Sequence, residues 1–405
     1  MNEVHSYREE KYTNLSRRLV ISILLMLAGV VIRAYFVSSI SIVWIINFVS
    51  ILWLTFPYIR FSEKKDVTIA LGYLFTQLFT LLVTSQYISS NMKAIGTNIN
   101  ILSFPITYLF LTRIEKDNLI EIDAVDELFN FLSILGIITF LYAWITGARD
   151  IIRVFNGLSA YRARAYGFFY GKNIYGCFVS LTIAPDLFLL SKKINVKRTI
   201  IVTLKVIAVI LSFSRAALLQ MIVMIFLFLW TNRQRTVRDY LLLFSLIIII
   251  GLLVSYIRSN PRIMSFINKS VFRVDSGDAG REALRNIAIN KVNNESPISW
   301  ITGVGFAGID HLHIDIDNTY LYLLFSGGVS KALFYLLVII KAIKGIFAVN
   351  LQNRTLSKLC MSVLVSYLFF AFFESVAILE LGLLNFVFTL LIILIPICVK
   401  KTSDA

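Results

Sequence analysis

The sequence predicts an all-α integral membrane protein with about 12 transmembrane helices. Three observations predict it. Hydrophobic residues make up 58% of the 405 positions and charged residues only 16%, with a mean hydropathy of +0.77; a soluble domain carries about a quarter charged residues. Apolar runs of spanning length, or slightly less, recur along the whole chain. The basic residues between those runs fall on alternate connections, as orientation signals do.

The runs lie near residues 19–38, 40–59, 67–88, 99–112, 128–147, 173–190, 199–213, 216–230, 240–257, 318–340, 359–376 and 382–399. Arg17 and Arg18 precede the first, and Lys64 and Lys65 follow the second. Lys192, Lys193, Lys197 and Arg198 follow the sixth, and Arg233, Arg235 and Arg238 follow the eighth. Lys341 and Lys344 follow the tenth, and Lys400 and Lys401 the last. With twelve crossings all these clusters share one side, and the positive-inside rule makes it cytoplasmic, with both termini. The expected organisation is a single polytopic domain over 1–405, with a large extracytoplasmic loop, 258–317, between the ninth and tenth helices.

The first run follows a long charged segment and lacks a small-residue cleavage site, so it is expected to be a retained span rather than a signal peptide. A net charge of +15 would suit nucleic acid on a soluble face, but here it is dispersed between apolar runs, which excludes that partner. Cys177, Cys360 and Cys398 lie in or beside apolar runs without CxxC spacing, so they read as apolar filler.

Some basic residues break the orientation rule. The expected outer segment 148–172 holds Arg149, Arg153, Arg162, Arg164 and Lys172. The loop 258–317 holds Arg258, Arg262, Lys269, Arg273, Arg281, Arg285 and Lys291. Cations kept on the outer side point to an anionic ligand, or to a solvated loop face. Between Arg198 and Arg233 the chain must also cross twice with arms of about 15 apolar residues, roughly 22 Å each, against a core of about 30 Å. The turn Ser212-Phe213-Ser214-Arg215 is therefore expected below the outer surface. Arg215 there is either functional or snorkels to the headgroups. Arg33 and Lys205 sit near span ends and are expected to snorkel; Lys331, near mid-span, is a weaker functional candidate.

Polar and apolar residues alternate through Asp310-His311-Leu312-His313-Ile314-Asp315-Ile316-Asp317. In an extended segment His311, His313, Asp315 and Asp317 share one face. Two of the chain's three histidines are here. A general base with orienting carboxylates, a plain loop and a metal site all fit this pattern. Just before it, Gly303-Val-Gly305-Phe-Ala-Gly308 matches the dinucleotide fingerprint G-x-G-x-x-G but lies in an outer loop without a βαβ unit, so no nucleotide cofactor is expected. These glycines are expected to let the backbone close over a headgroup.

Four ordered stretches resemble motifs of the bacterial O-antigen ligase and polysaccharide polymerase superfamily. They are Arg164-Ala-Tyr-Gly167-Phe-Phe-Tyr-Gly-Lys-Asn173-Ile-Tyr-Gly176, then Ser212-Phe-Ser214-Arg215, then Gly280-Arg281 through Pro297 to Gly303-Val304-Gly305, and Asp317-Asn318-Thr319-Tyr320-Leu321 with Gly327-Gly328. The resemblance covers roughly residues 160–345. Asp317-Asn318 stands where the ligase branch has His-Asn, which is more similar to the Wzy-type capsule and exopolysaccharide polymerases.

The resemblance implies a membrane glycosyltransferase in the bacterial cytoplasmic membrane. It would polymerise oligosaccharide repeat units carried on undecaprenyl diphosphate, with no metal or nucleotide. The developing charge on the diphosphate calls for cations, and arginine binds phosphate bidentately. Arg215 and Arg281 are the catalytic candidates and Arg164 the next. For the base, His313 or Asp317 is favoured; imidazole, near ~6.5, is the stronger base in water than aspartate. Asn173, His311, Asp315, Asn318 and Arg285 are expected to bind substrate. Expected partners are membrane lipids and flippase and chain-length regulator proteins. Two rivals remain: a ligase with another acceptor, and a lipid-linked oligosaccharide flippase. Against the flippase, no internal repeat is evident and the polar groups concentrate in one loop.

Overall fold

The computed structural model describes residues 2–35, 40–59, 63–83, 91–117, 122–155, 169, 171–193, 195–212, 214–231, 255, 259, 261, 279–295, 298–305, 308–309, 312, 316, 318–351, 353–376 and 382–399. In chain order the helices are α1 (Asn2–Tyr35), α2 (Ile40–Ile59), α3 (Lys64–Val83), α4 (Asn91–Asp117), α5 (Ile122–Phe155), α6 (Lys172–Lys192), α7 (Val196–Leu211) and α8 (Arg215–Thr231). They continue as α9 (Ala279–Glu295), α10 (Ser299–Thr302), α11 (Thr319–Asn350), α12 (Arg354–Phe370) and α13 (Leu383–Thr389). From α13 a π-helical stretch, Leu390–Leu394, leads into α14 (Ile395–Cys398). Among the described residues four helical stretches are long and apolar enough to cross a membrane: Leu15–Ala34, Ala124–Gly147, Lys172–Lys192 and Thr319–Asn350. Val43–Tyr58, Ile101–Ile114, Arg215–Thr231 and Leu383–Cys398 are shorter apolar helices. The run expected at 240–257 lies outside the described residues, apart from Ser255.

The chain divides into two compact units, residues 133–282 and the combination of 1–132 with 283–405. In the larger unit α1 and α2 pair as a hairpin, with the Ser22 hydroxyl donating to the Ser50 carbonyl at 3.0 Å and Arg18 over the Trp53 ring. Tyr73 of α3, Phe104 and Tyr108 of α4 and Phe334 of α11 form one aromatic cluster, with centroids 4.5–5.3 Å apart. Many large apolar side chains elsewhere face outward, among them Phe56, Phe75, Leu82, Leu333 and Phe347. Lipid is the solvent that suits such faces.

One expectation needs correction here, and one stretch gains detail. The 258–317 stretch contains a helix, α9, which is polar overall and lacks the apolar period that marks a span. It packs through Ala288 and Val292 onto Val304 and Phe325. The run expected at 359–376 is helical only to Phe370, after which Ala371–Glu374 turn back.

In the smaller unit α6, α7 and α8 form a tight three-helix group. Two reversals of direction set α6 and α8 parallel. Near their N-terminal ends Gly176 faces Ser212 and Ala217 so closely that a Cβ on it would lie 2.5 Å from the Ser212 hydroxyl. At 16 and 17 residues, α7 and α8 are short, roughly 25 Å each against a hydrocarbon core of about 30 Å.

Candidate functional site

The turn between α7 and α8 explains its own sequence. The Ser212 hydroxyl donates back to the Val209 carbonyl at 2.6 Å and accepts from the Ser214 amide at 3.3 Å. The Ser214 hydroxyl in turn accepts from the Ala217 amide at 3.3 Å, which makes Ser214 the N-cap of α8. Arg215 is then the first residue of that helix, and it is exposed, whereas Ser212, Ser214 and Ala216 are buried. A cation at a helix N-terminus meets the positive end of the macrodipole and costs stability there. An anion placed at the same point would be favoured by the arginine and by the helix dipole together. Asn173, the second residue of α6, is half-buried at the neighbouring parallel N-terminus.

Deeper in the same unit lies a charged cluster that the sequence reading missed. Lys205, expected to snorkel, is fully buried. Its ammonium donates to Asp186 Oδ2 at 2.6 Å, to the Thr182 carbonyl at 3.0 Å and to the Ser133 hydroxyl at 3.4 Å. Ser133 donates to Asp186 Oδ1 at 2.6 Å, and Arg198 Nη1 stands 3.5 Å from the same oxygen. Pro185, inside α6, cannot donate to the carbonyl four residues back and loosens the turn in which Asp186 sits. The available signal was an aspartate and a lysine each inside an apolar run. Read singly each looks tolerable, and only the pairing shows why neither needs to reach water.

In the larger unit the Asp317-Asn318-Thr319-Tyr320 motif opens α11 and is bound to the turn after α12. Asn318 is the N-cap: its side-chain oxygen accepts from the Leu321 amide at 3.0 Å, and its Nδ2 donates to the Phe372 carbonyl at 3.2 Å. Arg285 of α9 reaches the same carbonyl at 3.5 Å, so two predicted site residues meet on one backbone oxygen. The Thr319 amide donates to the Ala371 carbonyl at 2.8 Å. Its hydroxyl donates to the Glu374 carbonyl at 2.6 Å and accepts from the Val376 amide at 2.9 Å. The Tyr320 hydroxyl donates to the Leu368 carbonyl at 3.0 Å. Sequence reasoning placed residues 371–376 inside a span and so gave this turn no part in the site.

The glycines of the third and fourth motifs also meet. Gly303, Gly305 and Gly328 have positive φ, and Gly328 kinks α11. Gly303, expected to close over a headgroup, instead lies against the backbone of Gly327 and Gly328, where the Val304 amide donates to the Phe325 carbonyl at 2.7 Å. Gln77 and Thr80 of α3 complete this junction through bonds to the Gly327 and Thr302 carbonyls. Lys331, one turn further along α11, is buried and donates to the Ser326 hydroxyl at 2.9 Å.

Arg281 stands in the first turn of α9, one helical turn before Arg285. Arg164, Asp310, His311, His313, Asp315 and Asp317 lie outside the described residues. Within the 310–317 stretch Leu312 closes a helical turn, its amide donating to the Gly308 carbonyl at 2.8 Å, rather than lying on an extended strand. Leu312 and Ile316 pack on the Val292–Phe325 core, and Lys291 Nζ donates to the Leu312 carbonyl at 2.5 Å. Among the described residues no three His, Cys, Asp or Glu side chains are grouped so as to hold a metal.

The family model described as O-antigen ligase matches residues 200–336. The matched segment runs from the start of α7, through Arg215 and α9, to the kinked first half of α11. A search of curated proteins gives no match.

Proposed function

Residues 200–336 belong to the O-antigen ligase and polymerase superfamily, and from that premise we propose that the protein is a Wzy-type polymerase of lipid-linked oligosaccharide repeat units. The multi-pass membrane character and the glycan-processing family are its firm ground. The observation that carries the reading further is Arg215: exposed, and the first residue of a helix that Ser214 caps, where the dipole favours an anion and a guanidinium can bind phosphate bidentately. An undecaprenyl diphosphate carrier supplies such an anion on the outer leaflet. The reading includes about 12 spans, cytoplasmic termini and catalysis on the outer face of a bacterial cytoplasmic membrane, as the basic clusters suggest.

In this reading the hydroxyl oxygen of a new unit's terminal sugar attacks the anomeric carbon of the growing chain. The bond from that carbon to the diphosphate oxygen breaks, and its electron pair leaves with the diphosphate. The hydroxyl proton passes to His313 or Asp317. Arg215 and Arg281 stabilise the departing charge, with Arg164 as a further cation. Asn173, His311, Asp315, Asn318 and Arg285 hold the sugars or the groups that do. Cleavage of the diphosphate linkage drives transfer, so no nucleotide is consumed. A flippase that supplies the lipid-linked units and a chain-length regulator are the protein partners this reading includes.

A ligase that hands the glycan to another acceptor is the second reading, favoured by the description of the matched family. Surface glycan analysis of a deletion strain separates the readings. Loss of long chains with single units retained supports polymerase. Accumulation of long carrier-linked chains identifies a ligase, and loss of all exported glycan identifies a flippase.

A further inference from the structure

Lys205 and Asp186 take no part in the reaction as set out above, yet they form a charged pair without access to water inside an apolar helix group. We propose that this pair is a positioning element that fixes the height of α7 against α6, and through α7 the height of Arg215. The inference rests on Arg215 being the residue that faces the diphosphate.

Apolar contacts between helices in lipid are non-directional, and no hydrophobic difference between lipid and partner holds one helix at a particular level. A buried ion pair behaves differently. Sliding α7 by one turn would strip Lys205 of its carboxylate and leave both charges in hydrocarbon, which is among the costliest changes a fold can make. The ammonium's three protons are all committed, to Asp186, the Thr182 carbonyl and Ser133. Helix α5 makes room for it: a Cβ on Gly136 would lie 2.2 Å from the Thr182 hydroxyl and 3.0 Å from Lys205 Cε. Three helices therefore meet at one height on one side chain.

From that point α7 runs rigidly for about 10 Å to Ser212, whose hydroxyl seats against Gly176 and receives the Ser214 amide. Ser214 then caps α8, and Arg215 follows directly. From the pinned lysine to the C-cap Ser212 the chain is continuous helix. A positional error at the pair would be transmitted to Arg215, and an error of about 1 Å at a catalytic group can cost on the order of 100-fold in rate.

Asp186→Asn strands a buried ammonium and is expected to lower stability as well as activity. The decisive variant is Asp186→Asn combined with Lys205→Met, which removes both charges of the buried pair and leaves only Arg198, 21% exposed, without its carboxylate. It is expected to recover heat stability in detergent relative to Asp186→Asn alone. In each background Arg215→Cys reports the height of the turn, read as its labelling rate with a membrane-impermeant thiol reagent in intact cells. The native cysteines 177, 360 and 398 are buried. Polymer output is measured in parallel with Arg215 intact. The neutral pair is expected to fold like the parent, to label several-fold faster or slower, and to make roughly tenfold less polymer or below. Unchanged labelling in the neutral pair overturns the proposal. A labelling shift with full polymer output confirms that the pair sets the height of Arg215 and removes Arg215 from the chemistry instead.

Discussion

Gly303 and Gly328 meet backbone to backbone: a Cβ on Gly328 would lie 1.9 Å from the Ile301 carbonyl oxygen and 2.7 Å from the Gly303 amide nitrogen. Two sequence motifs separated by more than twenty positions are thereby one structural junction. It holds the segment that follows α9 against the kink of α11.

Gly328→Ala adds both a clash with backbone and a side chain at φ 66°. It is expected to cost on the order of 3 kcal/mol or more, seen as early loss of the monodisperse peak when detergent extracts are heated before size exclusion. Gly303→Ala should behave similarly, since its Cβ would lie 2.7 Å from the Gly327 and Gly328 amides. Gly72→Ala is the control, because nothing lies within 4 Å of that position; it should leave stability unchanged or slightly higher.

Asn318 has two separable jobs. Asn318→Ala removes the cap and the bond to the Phe372 carbonyl and should cost about 1–2 kcal/mol. Asn318→Asp keeps an oxygen for the Leu321 amide but loses the donation to Phe372 and sets a carboxylate oxygen against that carbonyl. The cap is therefore kept while the junction with the α12 turn is opened and polymer output falls. Equal output from the Asp variant and the parent would show that the junction with the α12 turn is dispensable for the reaction.

Much of this was legible in the sequence. Apolar runs located α2, α6, α7 and α8 within three residues at each end and overlapped α1, α3, α4, α5 and α11, whose ends differ by more. The Ser212–Arg215 turn was found from span length and composition. What escaped detection shares one physical cause: it depends on pairing between distant residues. Lys205 and Asp186 are 19 positions apart and each is a flaw in an apolar run until the other is seen. The Ala371–Val376 turn is hidden because Phe372, Phe373 and Val376 extend the apolar composition of α12 past its end. Helix α9 is polar over most of its surface and buries only a narrow face, so no hydropathy window marks it.

Arg215→Lys retains a positive charge and loses the planar fork. Polymer output should fall by roughly tenfold or more, equivalent to about 1.5–3 kcal/mol for lost charge-assisted bonds, while membrane expression stays at the parent level. Arg215 is exposed and its turn is capped by serines rather than by its own side chain, so the fold should tolerate the change. Full polymerisation by Arg215→Ala would refute a role in the chemistry.

The base is the last question. Leu312 and Ile316 are anchored on the Val292–Phe325 core, Asn318 is fixed to the α12 turn, and His313 and Asp317 adjoin these residues in sequence. Only one group needs to reach the acceptor hydroxyl. Asp317 directly precedes the N-cap of α11 in sequence; His313 offers the more basic atom in water. His313→Ala and Asp317→Ala are each expected to lower glycan polymerisation far more than His311→Ala, measured as chain-length distribution on gels of surface glycan. Asp317→Asn then separates base from anchor, since it keeps the shape and removes the proton acceptor. Activity in membranes should survive a chelator. Abolition by chelation with rescue by one divalent ion would convert the His and Asp stretch into a metal site. Full activity of the His311, His313, Asp315 and Asp317 alanine variants would move the base elsewhere, to Glu374 on the α12 turn, whose backbone already binds Thr319, or to Glu380.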